Sequence, residues 1–384
     1  MKPLSKVVGG LPASGIRRFF DLVAEMDDVI SLGVGEPDFV TPAPVRQAAV
    51  DALAAGRTSY TSNYGLLELR QAIAQYQARL YGHQYDPRRE ILVTVGVSEA
   101  LDIAFRAMLD PGDEVLVPEP CYVSYGPCVS FAGGTPVSVP TTAANRFHVL
   151  VEDLKPLVTA RTKALVLSFP TNPTGAVMDR AALQDVVDFA VEHDLWLVSD
   201  EIYDRLCYDQ PHVSVPALAG ARERTILLNG LSKAHAMTGW RIGYACAPAP
   251  VIELMMKVHQ YTIMCAPIAS QIAAIEALCH GEDAVAEMVA DYDRRRRLFV
   301  DGLNRVGLDC RLPGGAFYAF PSIERYGLDA EVFSERLLRE ERVLVVPGPV
   351  FGAGGTGHVR CCYATATEKL IEAVERIGRF VSKL

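Results

Sequence analysis

The stretch NGLSKAHAMTGWRIG, residues 229–243, puts Lys233 in a Gly-Leu-Ser turn straight after an apolar run, and Arg241 eight residues later. A solvated lysine needs no such setting. A lysine confined in a partly apolar turn has a lowered pKa and can form a Schiff base with an aldehyde. Asp200 closes a second apolar run, LWLVSDE, where a carboxylate can hold a pyridine-type ring nitrogen protonated. The segment VGVSEAL supplies an anion cradle: a strand ends at Gly96, a helix begins near Ser98, and the N–H groups of Val97 and Ser98 point at a phosphate. Arg241 adds a bidentate donor and Tyr122 can stack on a ring. Asn172 and Tyr203 can hydrogen-bond a ring hydroxyl. Together these parts describe a site for pyridoxal 5'-phosphate, whose ring acts as an electron sink.

The elements that must position them alternate apolar runs with helical patterns. ILVTVG (91–96), DEVLVP (113–118), KALVLSF (163–169), LWLVSDE (195–201) and TILLNGLSK (225–233) read as strands, with helices through SEALDIAFRAML and RAALQDVVDFAVEHD. Near-continuous Val, Ile and Leu runs separated by helices predict an α/β fold: a large domain with a mostly parallel sheet covered on both faces. Asn172, Asp200 and Lys233 each fall at or just past the C-terminal end of such a run. Open α/β sheets bind ligands along that edge. Taken singly, Asn172 reads as a turn former, Asp200 as a helix cap and Lys233 as a solvated side chain. Three chemically different groups at one edge are harder to dismiss.

From about residue 285 the pattern changes to a helix and short strands, GGAFYAF (314–320), RVLVVPG (342–348) and HVRCCYA (358–364), which predicts a smaller α+β domain. The expected division is an N-terminal segment 1–45 packing on the small domain and cleft, a large domain 46–284 and a small domain 285–384. Arg360 lies inside an apolar strand, where a charge is costly unless paired.

The formal net charge of −9 over 384 residues speaks against a nucleic-acid or anionic-membrane partner. The run Arg294–Arg297, behind Asp291 and Asp293, reads as a solvated helix face. Nine scattered cysteines, with no C-x-x-C pair, suit a reducing cytoplasm better than a disulfide framework. Cys361 and Cys362 read as strand residues. The N-terminus lacks the apolar core of a signal peptide, and no apolar run approaches the roughly 20 residues a membrane helix needs. No repeat or low-complexity linker is present.

The Lys233 turn ending in GWRIG resembles the signature of the class I/II aminotransferases of pyridoxal-phosphate fold type I. GEPDF (35–39), YTSNYGLLELR (60–70), TNPTG (171–175), SDEIY (199–203), GGAFY (314–318) and HVR (358–360) carry the resemblance over nearly the whole chain. The fold so implied has a seven-stranded-type sheet in its large domain. The resemblance also implies that Lys233 condenses with the cofactor and that Asp200 partners its ring nitrogen. Tyr203 and Asn172 would serve the ring hydroxyl and Tyr122 stack on the ring. Val97, Ser98, Ser232 and Arg241 would hold the phosphate. Tyr60 would reach the phosphate of a neighbouring subunit, which makes a homodimer part of the site. Arg360, with Asn172 and the backbone of Gly35, would bind the substrate α-carboxylate. Two positions depart from the pattern. Gly230 stands where many relatives carry serine, and Tyr122 where many carry tryptophan. SGIRRF, NGLSKAHAMTGWRIG and VHQYTIMCAP look most like the bacterial aromatic or N-acetyl-diaminopimelate branch.

The expected reaction moves the amino group of an L-amino acid to a 2-oxo acid such as 2-oxoglutarate, with Lys233 shuttling the α-proton. A pyridoxal-phosphate β-lyase acting on sulfur amino acids is the enzymatic alternative. A cofactor-sensing regulator is the non-enzymatic one, but such proteins carry a basic DNA-binding module, and this chain starts with the catalytic fold. Ile16 and Tyr64 are candidate pocket walls that suit an apolar or aromatic donor. Arg17 and Arg18 could instead meet a distal carboxylate.

Overall fold

A computed structural model describes residues 2, 4–11, 15 and 26–384. Ile16, Arg17 and Arg18 lie outside the described residues.

The first strand, β1 (Ile30–Ser31), stands apart from the main sheet. That sheet has seven strands: β2 (Ile91–Thr94), β3 (Glu114–Glu119), β4 (Thr135–Pro140), β5 (Thr162–Leu167), β6 (Trp196–Asp200), β7 (Thr225–Gly230) and β8 (Gly243–Cys246). Their spatial order is β2-β8-β7-β6-β5-β3-β4. The pairs joining β4, β3, β5, β6 and β7 are parallel, whereas β8 runs antiparallel to both β2 and β7. The central strands are apolar throughout because helices cover both faces. Alternation sends Val115 and Val117 into the core on one side and Leu116 into the core on the other. Helices Gly96–Met108, Arg180–Glu192, Ala249–Thr262 and Ile268–His280 bury their apolar faces in these cores. Asp179 caps the second of them, accepting from the Ala182 N–H at 2.9 Å. Two strands did not stand out in the sequence. β4 is an exposed edge strand with a proline at each end of its apolar alternation, and β8 has only four residues.

The C-terminal part builds a second core. Helix Glu282–Arg305 leads to β9 (Tyr318–Ala319), helix Ala330–Glu341, β10 (Val343–Leu344), β11 (Val346–Pro347), β12 (Val359–Cys362) and helix Thr367–Val381. β11, β12 and β9 form an antiparallel sheet, and β1 pairs in parallel with β10. Phe299, Phe317, Phe333, Tyr363 and Phe380 fill the space between. Residues 32 and 33 continue along this sheet: the Cys362 N–H donates to the Leu32 carbonyl at 2.7 Å. Gly33 to Glu36 then pass over the C-terminal edge of the main sheet and line the crevice there.

The arginine run corrects the sequence reading. Arg294 and Arg297 are exposed, but Arg295 is largely covered and Arg296 is completely buried. The Arg296 guanidinium makes two bonds to Asp209, at 2.7 and 2.9 Å, donates to the Pro313 carbonyl at 2.6 Å and lies over the Tyr208 ring. Arg295 reaches Asp38 at 2.7 Å. The run is therefore a clamp between distant segments, because carboxylates from outside the helix pair with it.

Candidate active site

One cavity of about 470 Å³ opens at the C-terminal edge of the main sheet, between its loops and β12. Eleven of the twelve residues to which the aminotransferase resemblance gives a role meet there: Gly35, Val97, Ser98, Tyr122, Asn172, Asp200, Tyr203, Ser232, Lys233, Arg241 and Arg360 all line it. Tyr60 does not. Its side chain is 82% exposed and lies outside this chain's own cavity. Tyr64 is also missing from the lining; its ring faces the Arg70 guanidinium instead, at 5.6 Å.

The lysine turn is fixed from behind. β7 ends at Gly230, whose N–H donates to the Asn229 side-chain oxygen, while the Asn229 amide donates to Asp204 at 2.9 Å. Three residues on, Lys233 Nζ donates to the Gly35 carbonyl at 2.6 Å and lies near the Tyr203 and Phe317 rings. Burial pulls the pKa of this amine down to about 8; Arg360 and Arg241 push the same way, against Cys362 and Glu36.

Asp200, the last residue of β6, is buried. Burial raises its pKa to about 6, while two donors oppose the rise: the Tyr125 hydroxyl at 2.9 Å and the Ile202 N–H at 3.2 Å. Tyr122 meets the Tyr125 ring edge-on at 5.6 Å. The Tyr203 and Tyr318 hydroxyls are 2.8 Å apart.

The anion cradle depends on close backbone approach. Helix Gly96–Met108 starts at the end of β2 with Gly96 at φ +76°, and a Cβ there would lie 2.6 Å from a guanidinium nitrogen of Arg241. Gly243 opens β8 against the same turn; a Cβ on it would stand 2.8 Å from the Val97 nitrogen. Arg241 itself donates to the Thr238 carbonyl at 2.9 Å. Gly230 belongs to this packing too, since a Cβ would come within 3.0 Å of Gly243 Cα and the Ile242 carbonyl. A serine at 230 would thus require the ends of β7 and β8 to separate.

Arg360 projects from β12. It donates to Asn172 Oδ1 at 3.0 Å and to the Gly33 carbonyl at 2.5 Å, between the Tyr318 and Phe351 rings. Its Nε is buried without a partner among the described residues.

A family model described as aminotransferase class I and II matches residues 27–377. The chain belongs to the class I and II aminotransferases. A protein of this family from Bacillus subtilis, the putative aminotransferase YugH, is 51% identical over 99% of this chain and 98% of its own length. The aspartate aminotransferase of Pyrococcus abyssi is 48% identical over 95% of each. The crystal structure of the aromatic aminotransferase from Pyrococcus horikoshii superposes with a TM-score of 0.91 at 47% identity, covering 95% of this chain and 99% of that one.

Class I and II aminotransferases use pyridoxal phosphate. The residues present fit that group: one buried amine, one buried carboxylate, and a glycine-built helix N-terminus beside a guanidinium. The sequence reading gave no role to Tyr125 and Tyr318, the partners of Asp200 and Tyr203. Tyr318 was visible within GGAFY. Tyr125 could have been found only as a second tyrosine one helical turn after Tyr122.

Proposed function

We propose that this aminotransferase takes its amino group from an L-amino acid with an apolar or aromatic side chain, or from an N-acetyl-diaminopimelate-like donor, and passes it to a 2-oxo acid such as 2-oxoglutarate. When bound, pyridoxal phosphate supplies an electron sink for the charge left on the substrate α-carbon as its proton leaves. Asp200, a carboxylate above about pH 6, holds the proton on the ring nitrogen. Arg241 and the N–H groups of Val97 and Ser98 hold the phosphate, with Ser98 and Ser232 beside it. Asn172 and Tyr203 face the ring hydroxyl, and Tyr122 the ring. Lys233, with a pKa near 8, is partly neutral at physiological pH and can take the α-proton and return it. Arg360 grips the α-carboxylate shared by donor and acceptor, with Asn172 and Gly35 beside it.

The composition of the cavity wall supports the donor class. Among the described residues its cations are Lys233, Arg241 and Arg360, all engaged in this scheme. The described wall also holds Val34, Tyr318 and the carboxylate of Glu36, to which the Thr238 hydroxyl donates at 3.2 Å. A second carboxylate on the donor would meet Glu36. The relatives named for aspartate and for aromatic substrates bracket this choice. The test is a donor panel of phenylalanine, tyrosine, leucine, aspartate and N-acetyl-LL-diaminopimelate against 2-oxoglutarate, read as glutamate formed. Aspartate as the best donor would overturn the reading.

A homodimer completes the scheme. Tyr60, exposed and not part of the lining of its own cavity, is available to the phosphate site of a second copy. All nine cysteines are free, which supports a reducing cytoplasm. Among the described residues, no helix is long and apolar enough to cross a membrane.

A further inference from the structure

Helix Ala249–Thr262 buries Ile252, Met255 and His259 along one face. The first two share a core with Leu101 and Phe105 of helix Gly96–Met108. His259 is completely buried and stands in VHQYTIMCAP, a stretch with no part in the scheme above. Its Nδ1 lies 2.6 Å from Oε1 of Glu99, in the first turn of helix Gly96–Met108. A carboxylate only accepts, so Nδ1 carries the hydrogen. Nε2 is buried with no partner among the described residues. The imidazole therefore has one polar contact among them, to Glu99.

The other oxygen of Glu99 accepts from the Val95 N–H at 2.5 Å, just ahead of the helix. Neither Glu99 nor His259 lines the cofactor cavity, whereas Val97 and Ser98, directly before Glu99, do. This placing answers a difficulty built into the cradle. The first N–H groups of a helix have no partner within it and attract any anion in reach. A phosphate is one such anion. A carboxylate in the same turn is another, and it is tied to the chain. The Glu99 side chain is largely covered, so it must find donors in the protein. It already bonds the N–H two residues before Val97. Without His259 it would turn to the remaining donors of this turn, the N–H groups of Val97 and Ser98 among them.

We propose that His259 is a positioning residue that holds the Glu99 carboxylate back against Val95 and so keeps the N–H groups of Val97 and Ser98 open for the cofactor phosphate. This rests on the cradle assigned under the proposed function. His259 touches neither cofactor nor substrate; it acts through Glu99. The buried, unpartnered Nε2 fits that role, because only the Nδ1 side of the ring is used.

The experiment titrates the cofactor-free chain with pyridoxal 5'-phosphate and with pyridoxal, which lacks the phosphate. The ratio of the two affinities measures the grip on phosphate alone. His259→Leu removes the donor and should cut that ratio at least about tenfold, with the affinity for pyridoxal retained. His259→Asn, whose side-chain N–H can stand where Nδ1 was, should keep the ratio within about threefold of the parent. Packing alone predicts the opposite order, since asparagine leaves the larger void. Adding Glu99→Gln to His259→Leu should restore the ratio to within about threefold of the parent, because a neutral amide competes less well for N–H donors than a carboxylate. A His259→Leu ratio within threefold of the parent, an equal fall in His259→Asn, or a double variant no better than the single one overturns the proposal. If His259→Leu does not fold, Glu99→Gln alone decides. A carboxylate already held aside predicts a ratio within about threefold of the parent, and a larger rise means that Glu99 was competing all along and overturns the proposal. Arg241→Ala separates the two levels. A ratio that falls there but not in His259→Leu sinks only the role of His259; a ratio that Arg241→Ala also leaves unchanged sinks the cradle itself.

Discussion

Two buried arginines show how differently one chain treats the same charge. Arg296 is surrounded by carboxylates: Asp209 grips it with both oxygens and Asp293 reaches it from one turn away. Among the described residues, Arg360 has only neutral partners, an amide oxygen, a backbone carbonyl and two aromatic faces. Both leave Nε without a partner among the described residues, so the contrast lies in the counter-charge. A buried cation without a carboxylate is expensive. Where it serves only packing, the fold neutralises it, as at Arg296. On the proposed function, the anion that neutralises Arg360 would be the carboxylate of the substrate. Lys233, bonded to a backbone carbonyl with its pKa lowered, belongs with Arg360 in this respect.

The largest effect on this contrast should come from Asp200. Asp200→Ala should leave cofactor bound through the cradle and lower kcat/KM about a thousandfold, equivalent to ~4 kcal/mol of transition-state stabilisation. A loss under tenfold would remove Asp200 from the chemistry. Next, Arg296→Ala leaves Asp209 and Asp293 with Arg297 alone, empties a buried site and frees the Pro313 carbonyl; it should lower stability by about 3 kcal/mol, read by denaturant unfolding, with kcat in the folded fraction nearly unchanged. Arg360→Lys should do the reverse: KM for donor and for oxo acid both rise, on the order of thirtyfold, with thermal stability retained. If Arg360→Lys leaves both KM values within twofold and lowers Tm, the two arginines are of one kind and the contrast fails.

The smallest effect is a pH dependence of the cofactor-free chain. Lys233 has a folded pKa of about 8 against 10.5 unperturbed, so the unfolded chain binds more protons in that window. Its contribution therefore improves as pH rises from 8 to 10.5, and the deficit is complete below 8. Asp200 is the mirror case: its folded pKa is about 6 against 3.8, so its contribution worsens as pH rises through that window. Lys233→Met should then raise the Tm of the cofactor-free protein by about 2 °C at pH 7, and the gain should vanish near pH 10.5. A Tm difference independent of pH would mean that the amine carries no such penalty.

Sequence revealed the parts of the site that sit at the ends of apolar strands. Asn172, Asp200 and Lys233 each follow a run whose burial is dictated locally, so their shared edge could be foreseen. The resemblance to aminotransferases supplied Arg360 and Gly35, which come from opposite ends of the chain. What stayed hidden depends on distant partners. The burial of Arg296 requires Asp209, 87 residues away. The bond from Tyr125 to Asp200 spans 75 residues. β4 was masked by its prolines and exposure, because an edge strand need not be apolar.

The one reversed strand of the main sheet has a consequence for how the molecule comes into being. β8 slots between β2 and β7, so its register with Ile91–Thr94 joins segments some 150 residues apart, and the turn bearing Lys233 and Arg241 leads into it. During synthesis, helix Gly96–Met108 can form early, but its N-terminus has no arginine until this late strand is inserted. Arg360 arrives more than a hundred residues later still. Pairings of such long range are slow to form. If Arg241 holds phosphate and Arg360 carboxylate, as proposed, a nascent chain would complete the first grip before the second.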